Sequence, residues 1–201
     1  MGKISVNAIS AAMLIAIVAY CNLVSGNSYV GAVLFAFGLI IICSYSMSLF
    51  TGMAGYITKS NVVPFLAATG INCVTAFVFG VLGSLNPACK ERAMAVCEGK
   101  IDKGILWMFV SAIFCGMLIY LGVDFYKKRQ SFLGIIFAVP IFVVCGFDHT
   151  VADMFYYGAS GNYRIEHILL LLAAIVGNTL GSNMVRALIY AANKDKEEQK
   201  V

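Results

Sequence analysis

The chain has 201 residues, 61% of them hydrophobic and only 12% charged, with a formal net charge of +4 and a mean hydropathy of +0.88. No soluble domain of this size has that composition. At about 20 apolar residues per spanning helix there is room for about six spans and little else, which excludes a separate soluble catalytic domain. The basic residues sit at the ends of the apolar runs, so the positive charge calls for no nucleic-acid partner.

Span 1 is expected from about Ile4 to Val24, and it reads as a span rather than a cleaved signal peptide. Gly26, Asn27 and Ser28 form a turn, and span 2 starts near Tyr29. Its apolar run meets Thr51-Gly52-Met53-Ala54-Gly55, where two glycines beside a threonine can open a helix into a loop. A flexible span end is the plainer alternative. After a turn at Lys59, Ser60 and Asn61, Pro64 suits the first turn of span 3, which runs to about Leu85. Asn86 to Lys103 is the longest polar segment and reads as a solvated loop or surface helix. Span 4 follows from Gly104 to about Phe125, then a short basic connection at Lys127, Lys128 and Arg129. Span 5 begins near Ser131 and contains Pro140, a predicted kink. A loop around Gly158 to Arg164 leads to span 6, from about Ile165 to Ala192, and a charged tail ends the chain.

Span 5 runs into Gly146–Phe155, GFDHTVADMF, which gathers Asp148, His149, Thr150 and Asp153. A charge at the centre of a membrane helix costs about 2.5–3.5 kcal/mol even on the lenient insertion scale. The stretch therefore reads as a broken span lining a cavity, or else as a span end lying in the interface. Phe35, Leu39, Leu49 and Phe142 bracket the interruptions in spans 2 and 5 and suit hydrophobic constrictions around one polar point. Each taken alone reads as packing. The seven cysteines show no metal-ligand spacing, and neither a metal nor a cofactor is expected. Cys89 and Cys97 flank the long polar segment and can pair, although nothing requires it.

The excess of Lys and Arg, led by the triple at 127–129, places both termini in the cytoplasm of a multi-pass inner-membrane protein. Two inverted three-helix repeats, about 1–85 and 104–192, then form a single transmembrane domain with the tail at 193–201. The middle span of each half carries the interruption, which is the best sequence pointer to a shared midplane site. On this reading Thr51 and His149 meet.

The stretches GAVLFAFGLI (31–40), SLFTG (48–52), VPIFVVCGFDHTVADMF (139–155) and GNTLG (177–181) resemble the formate/nitrite transporter family, small-anion channels with formate, nitrite and hydrosulfide members. The resemblance covers all six spans. It implies an aquaporin-like, all-α protomer, a homopentamer with one pore per protomer, His149 as the central pore histidine and Thr51 as its partner. It further implies that Phe35, Leu39, Leu49 and Phe142 are the constrictions and that Lys100 is the vestibule lysine, with Lys103 close enough to leave the register open. Asp148 stands where the family pattern has glutamate, Asp153 where it has asparagine, and Cys115-Gly116 where many members have an asparagine. The helix that typical members carry ahead of span 1 is expected to be missing.

The expected function is a membrane conduit for a small monovalent anion or its conjugate acid, proton-linked through His149, rather than an enzyme. Its expected partners are that anion, the lipid bilayer and further copies of itself. A neutral-solute or cation pore using Asp148 and Asp153 is the alternative. An intramembrane enzyme would need a nucleophile or metal motif that the stretch lacks.

Overall fold

The computed structural model describes residues 2–198, which form eight helices and no strand. In chain order they are α1 (Gly2–Val24), α2 (Ser28–Ser44), α3 (Phe50–Ala54), α4 (Val62–Gly83), α5 (Pro87–Arg129), α6 (Leu133–Val144), α7 (Thr150–Ser160) and α8 (Ile165–Glu198). Four of them, α1, α4, α5 and α8, are long and apolar enough to cross a bilayer. The other two apolar helices are short, with 17 residues in α2 and 12 in α6. At 1.5 Å per residue, α6 reaches only about 18 Å of a hydrocarbon core about 30 Å thick. Each short helix is followed by a non-helical connector and then a second short helix, α3 or α7.

The local chemistry explains the boundaries. Asn27 caps α2 by accepting from Tyr29 N and Val30 N, and Asn86 caps α5 by accepting from Ala88 N with Pro87 at the first helical position. Lys127, Lys128 and Arg129 fill the last turn of α5, where cations complement the helix dipole. The outer surface carries large exposed apolar residues such as Val33, Leu106, Phe137 and Leu188, as expected where lipid or a neighbouring subunit replaces water. Inside, α7 is almost wholly buried and packs against α4, α5 and α1. A Cβ at Gly80 or Gly158 would strike the backbone of Phe155 or Phe77, so these glycines let α4 and α7 approach closely.

Several expectations need correction. Thr51–Gly55 is not where span 2 opens into a loop: α2 already ends at Ser44, residues 45–49 form the connector, and Phe50–Ala54 is the helix α3. Of the two readings of the polar segment from Asn86 to Lys103, the helix is the one observed, with Lys90, Glu91, Arg92 and Lys103 exposed, and the solvated loop is not. The segment is the first part of α5, interrupted only at Gly104 (φ 79, ψ 171), and it buries Cys89, Ala93 and Cys97. Cys89 and Cys97 lie on this one helix and are free, as are all seven cysteines. The loop before span 6 is shorter than expected because α7 continues to Ser160, and the start of the charged tail is helical, since α8 continues to Glu198.

Candidate functional site

Two matched chain reversals build the site. At the end of α2, Tyr45 N bonds Ile41 O (3.0 Å), Ser46 N bonds Cys43 O (3.1 Å) and Met47 N bonds Ile42 O (2.9 Å). At the end of α6, Cys145 N bonds Ile141 O (3.0 Å), Gly146 N bonds Val143 O (3.1 Å) and Phe147 N bonds Phe142 O (2.9 Å). Both are helix C-caps of the Schellman type, which need a left-handed residue after the helix. Ser46 (φ 51) supplies it in one and Gly146 (φ 66) in the other. Leu49 and His149 are then extended, and the next residues, Phe50 and Thr150, begin α3 and α7.

Each reversal strands backbone groups inside the protein, and one asparagine satisfies them in each case. Asn72, fully buried on α4, accepts from Phe50 N (2.7 Å) and donates to Ser48 O (3.1 Å) and Ala8 O (2.8 Å). Asn178, fully buried on α8, accepts from Thr150 N (3.1 Å) and donates to Asp148 O (2.9 Å) and Ala112 O (2.8 Å). Thr150 Oγ1 also donates to Asn178 (2.8 Å), so Thr150 is turned into this clamp. The sequence reading missed both asparagines. Their signal was a lone amide inside an otherwise apolar run, GINCV in one case and VGNTL in the other.

Between the reversals, Thr51 Oγ1 and His149 Nε2 lie 2.9 Å apart, both side chains buried. His149 Nδ1 accepts from Ala152 N (3.2 Å) as the N-cap of α7. With Nδ1 engaged as an acceptor, the neutral ring carries its proton on Nε2 and donates it to Thr51. Phe142 stacks on the imidazole at 5.7 Å between centroids, and Phe35 meets both rings edge-on, at 6.2 Å from His149 and 5.6 Å from Phe142.

Phe35, Phe142 and His149 form part of the wall of a cavity of about 320 Å³ that also touches Asn22, Lys100, Lys103, Asp153 and Tyr156. Leu39 and Leu49 line a separate cavity of about 240 Å³ together with Met53, Val123 and Lys127. The predicted constriction residues are therefore divided between two cavities.

Lys100 is not an open vestibule cation. Its ammonium bonds Asp148, and it lies 2.9 Å from Asp153 Oδ1, with the lysine largely buried and both carboxylates almost completely so. Asp148 also accepts from the Ser111 hydroxyl, on α5. The reason is the helical course of residues 87–103, which turns Lys100 inward while Lys103 stays exposed at the cavity wall. Asp153 is thus ion-paired rather than a free carboxylate.

A family model described as formate/nitrite transporter matches residues 1–192. The uncharacterized transporter YrhG of Bacillus subtilis is 30% identical, covering 86% of this chain and 74% of that protein. A probable formate transporter of Methanothermobacter thermautotrophicus is 26% identical over 80% of this chain and 72% of its own. Among solved structures, a pentameric formate channel with formate bound superposes with a TM-score of 0.81 at 19% identity, covering 94% of this chain and 96% of the other. An FNT family ion channel gives 0.74, also at 19% identity, covering 94% and 88%.

Proposed function

The chain belongs to the formate/nitrite transporter family, a multi-pass membrane family, and from that premise we propose that it conducts a small monovalent anion together with, or as, its conjugate acid. The observation that carries this reading is the buried Thr51–His149 hydrogen bond, framed by Phe35 and Phe142 at the wall of a cavity holding Lys100. A bare anion loses its hydration at such an aromatic collar, whereas a neutral acid loses far less. The Nε2–H of His149 and the Thr51 hydroxyl offer the passing molecule one polar contact in an otherwise apolar passage.

In this reading α2 with α3, and α6 with α7, are two interrupted spans. Together with α1, α4, α5 and α8 they make six crossings in two inverted repeats. The matched C-caps and the matched roles of Asn72 and Asn178 support that repeat. The termini are cytoplasmic in an inner membrane, and the protein works as a homopentamer, in keeping with the pentameric formate channel it superposes on, with a pore in each protomer. Exposed Lys103 gathers anions at the cavity mouth, and the apolar wall at Leu39 and Leu49 forms the second constriction. No covalent chemistry is required of any of these groups, so the protein is a channel or transporter rather than an enzyme.

The test is flux through purified protein in liposomes. Formate, nitrite, hydrosulfide, acetate, lactate and chloride would be compared at fixed total concentration. We expect the smallest weak-acid anions to pass, faster as external pH falls. The pair of aspartates around Lys100 favours one rival, a cation pore. A reversal potential that follows the cation gradient would establish that rival and overturn the anion reading.

A further inference from the structure

The Lys100 cluster sets one ammonium against two carboxylates in a largely dry site. Its carboxylate oxygens are not equivalent. One oxygen of Asp148 bonds Lys100 and the other bonds Ser111. Asp153 Oδ1 faces Lys100, but Asp153 Oδ2 is buried with no hydrogen-bond partner among the described residues. Asp153 is 1% exposed and forms part of the wall of the same cavity as His149, Phe35 and Phe142.

Among the described residues no other charge relieves it. On α5, Lys103 is exposed at the cavity wall, and Cys97 and Cys115 are the other titratable groups that sense Asp153. On α7 these are Tyr156 and Tyr157, with Tyr156 accepting from Asn22 of α1 (3.3 Å). From α8, His167 stacks on Tyr157 at 4.6 Å, and Glu166 is engaged with Arg164. The packed faces of α3 and α4 bring no charged residue, and the connector before α7 brings Asp148 and His149. An anion that reaches Lys100 therefore meets a site already one negative charge in excess.

We propose that Asp153 is the proton-carrying, anion-selecting group of this conduit: an anion engages Lys100 only when Asp153 Oδ2 holds a proton, so anion and proton enter as a pair. The inference rests on the conduction reading above. The step balances without any electron transfer. A hydronium ion in the cavity breaks one O–H bond to give its proton to Oδ2 and leaves as water, which brings the cluster to charge neutrality. Lys100 then exchanges its contact with Asp153 for one to the incoming anion. The Oδ2–H bond breaks as that proton passes to an oxygen of the anion, the neutral acid leaves past Phe35 and Phe142, and the Lys100–Asp153 ion pair re-forms.

The experiment uses the full chain in liposomes with formate as probe, an internal pH dye, and a membrane potential set by potassium and valinomycin. In wild type we expect one proton per formate, no response to the potential, and flux at fixed formate falling about tenfold per pH unit on the alkaline side, as a single required proton dictates. Asp153→Asn should raise formate flux at least threefold at alkaline pH, make it potential-driven, and flatten the pH dependence to under twofold per unit. Asp153→Glu, which restores a carboxylate, should restore coupling. An Asp153→Asn protein that still carries one proton per formate, with the wild-type pH profile, overturns the proposal. If Asp153→Asn does not assemble, infrared difference spectra on formate binding decide it. The protonated-carboxyl band should shift between wild type and Asp153→Glu, and an unshifted band overturns the assignment. Wild-type protein that passes none of the tested anions would instead defeat the conduction reading itself.

Discussion

Replacing Asn178 by alanine tests whether one amide holds the second reversal together. Asn178 makes hydrogen bonds to Thr150 N, Thr150 Oγ1, Asp148 O and Ala112 O. Ala112 lies inside α5 and keeps its helical bond, and the Thr150 hydroxyl can rotate to another acceptor. Thr150 N and Asp148 O have no such recourse, because they belong to the connector and the first turn of α7. Each stranded buried group costs about 1–3 kcal/mol. Hydrogen bonds in membrane proteins tend toward the lower end of such ranges, because the unfolded chain in lipid also finds partners. We therefore expect a loss of about 2–4 kcal/mol, with flux abolished because His149 and Asp148 sit on the freed segment. Unfolding of purified protein in mixed detergent–SDS micelles, followed through the single tryptophan, Trp107, measures it. Asn178→Asp keeps an acceptor for Thr150 N but loses both donated bonds, and should still unfold earlier than wild type. A loss below about 1 kcal/mol with normal flux for Asn178→Ala would show that the segment is held by packing alone.

Three further outcomes follow from the same geometry. Lys100→Ala should damage assembly, since removing one partner of a buried ion pair costs about 3–5 kcal/mol. The combination Lys100→Met, Asp148→Asn, Asp153→Asn should recover assembled protein, as judged by size-exclusion chromatography. Gly146→Ala should destabilise by about 1–2 kcal/mol through its left-handed φ alone, because a Cβ there meets nothing within 4 Å, and SDS unfolding would read the difference. His149→Asn should keep the α7 cap, stability falling by less than about 1 kcal/mol, yet lose the contact to Thr51. Its flux panel should show weakened discrimination among anions, and a panel identical to wild type would remove His149 from the conduction path.

Much of the architecture could be read from the chain. The apolar runs mark the helices, and GFDHTVADMF marks where α6 stops, whereas LFTGMAG does not mark the end of α2, which comes earlier, at Ser44. What failed to show was the inward course of residues 87–103. The stretch CKERAMAVCEGK is rich in charge, and composition alone assigns it to water. Its helical spacing nevertheless puts Cys89, Ala93, Cys97 and Lys100 on one face, which the protein buries. The left-handed Ser46 was also hidden, because a serine gives no turn signal as strong as that of Gly146, which takes the same conformation. The two clamping asparagines were visible as letters but not as a pair, since their partners are backbone atoms distant in sequence.

The matched reversals change how the central histidine should be understood. If the segments after α2 and α6 are superposed by their C-caps, Leu49 takes the place of His149, and Val151 that of Thr51. Both segments are held by the same three kinds of asparagine bond, so the backbone does not need a histidine at this point. Leu49 makes no side-chain cap, whereas His149 uses one nitrogen to cap α7 and turns the other toward Thr51. One reversal therefore presents an apolar side chain and the other a hydrogen-bond donor at equivalent positions. The same asymmetry appears in the charges. Asp148 and Asp153 flank the second reversal, where Lys100 reaches them, while the matching places near the first hold Ser48 and Met53. The polar chemistry is concentrated at one reversal while the other carries apolar groups, and this asymmetry gives one cavity a charged lining and the other a largely apolar one.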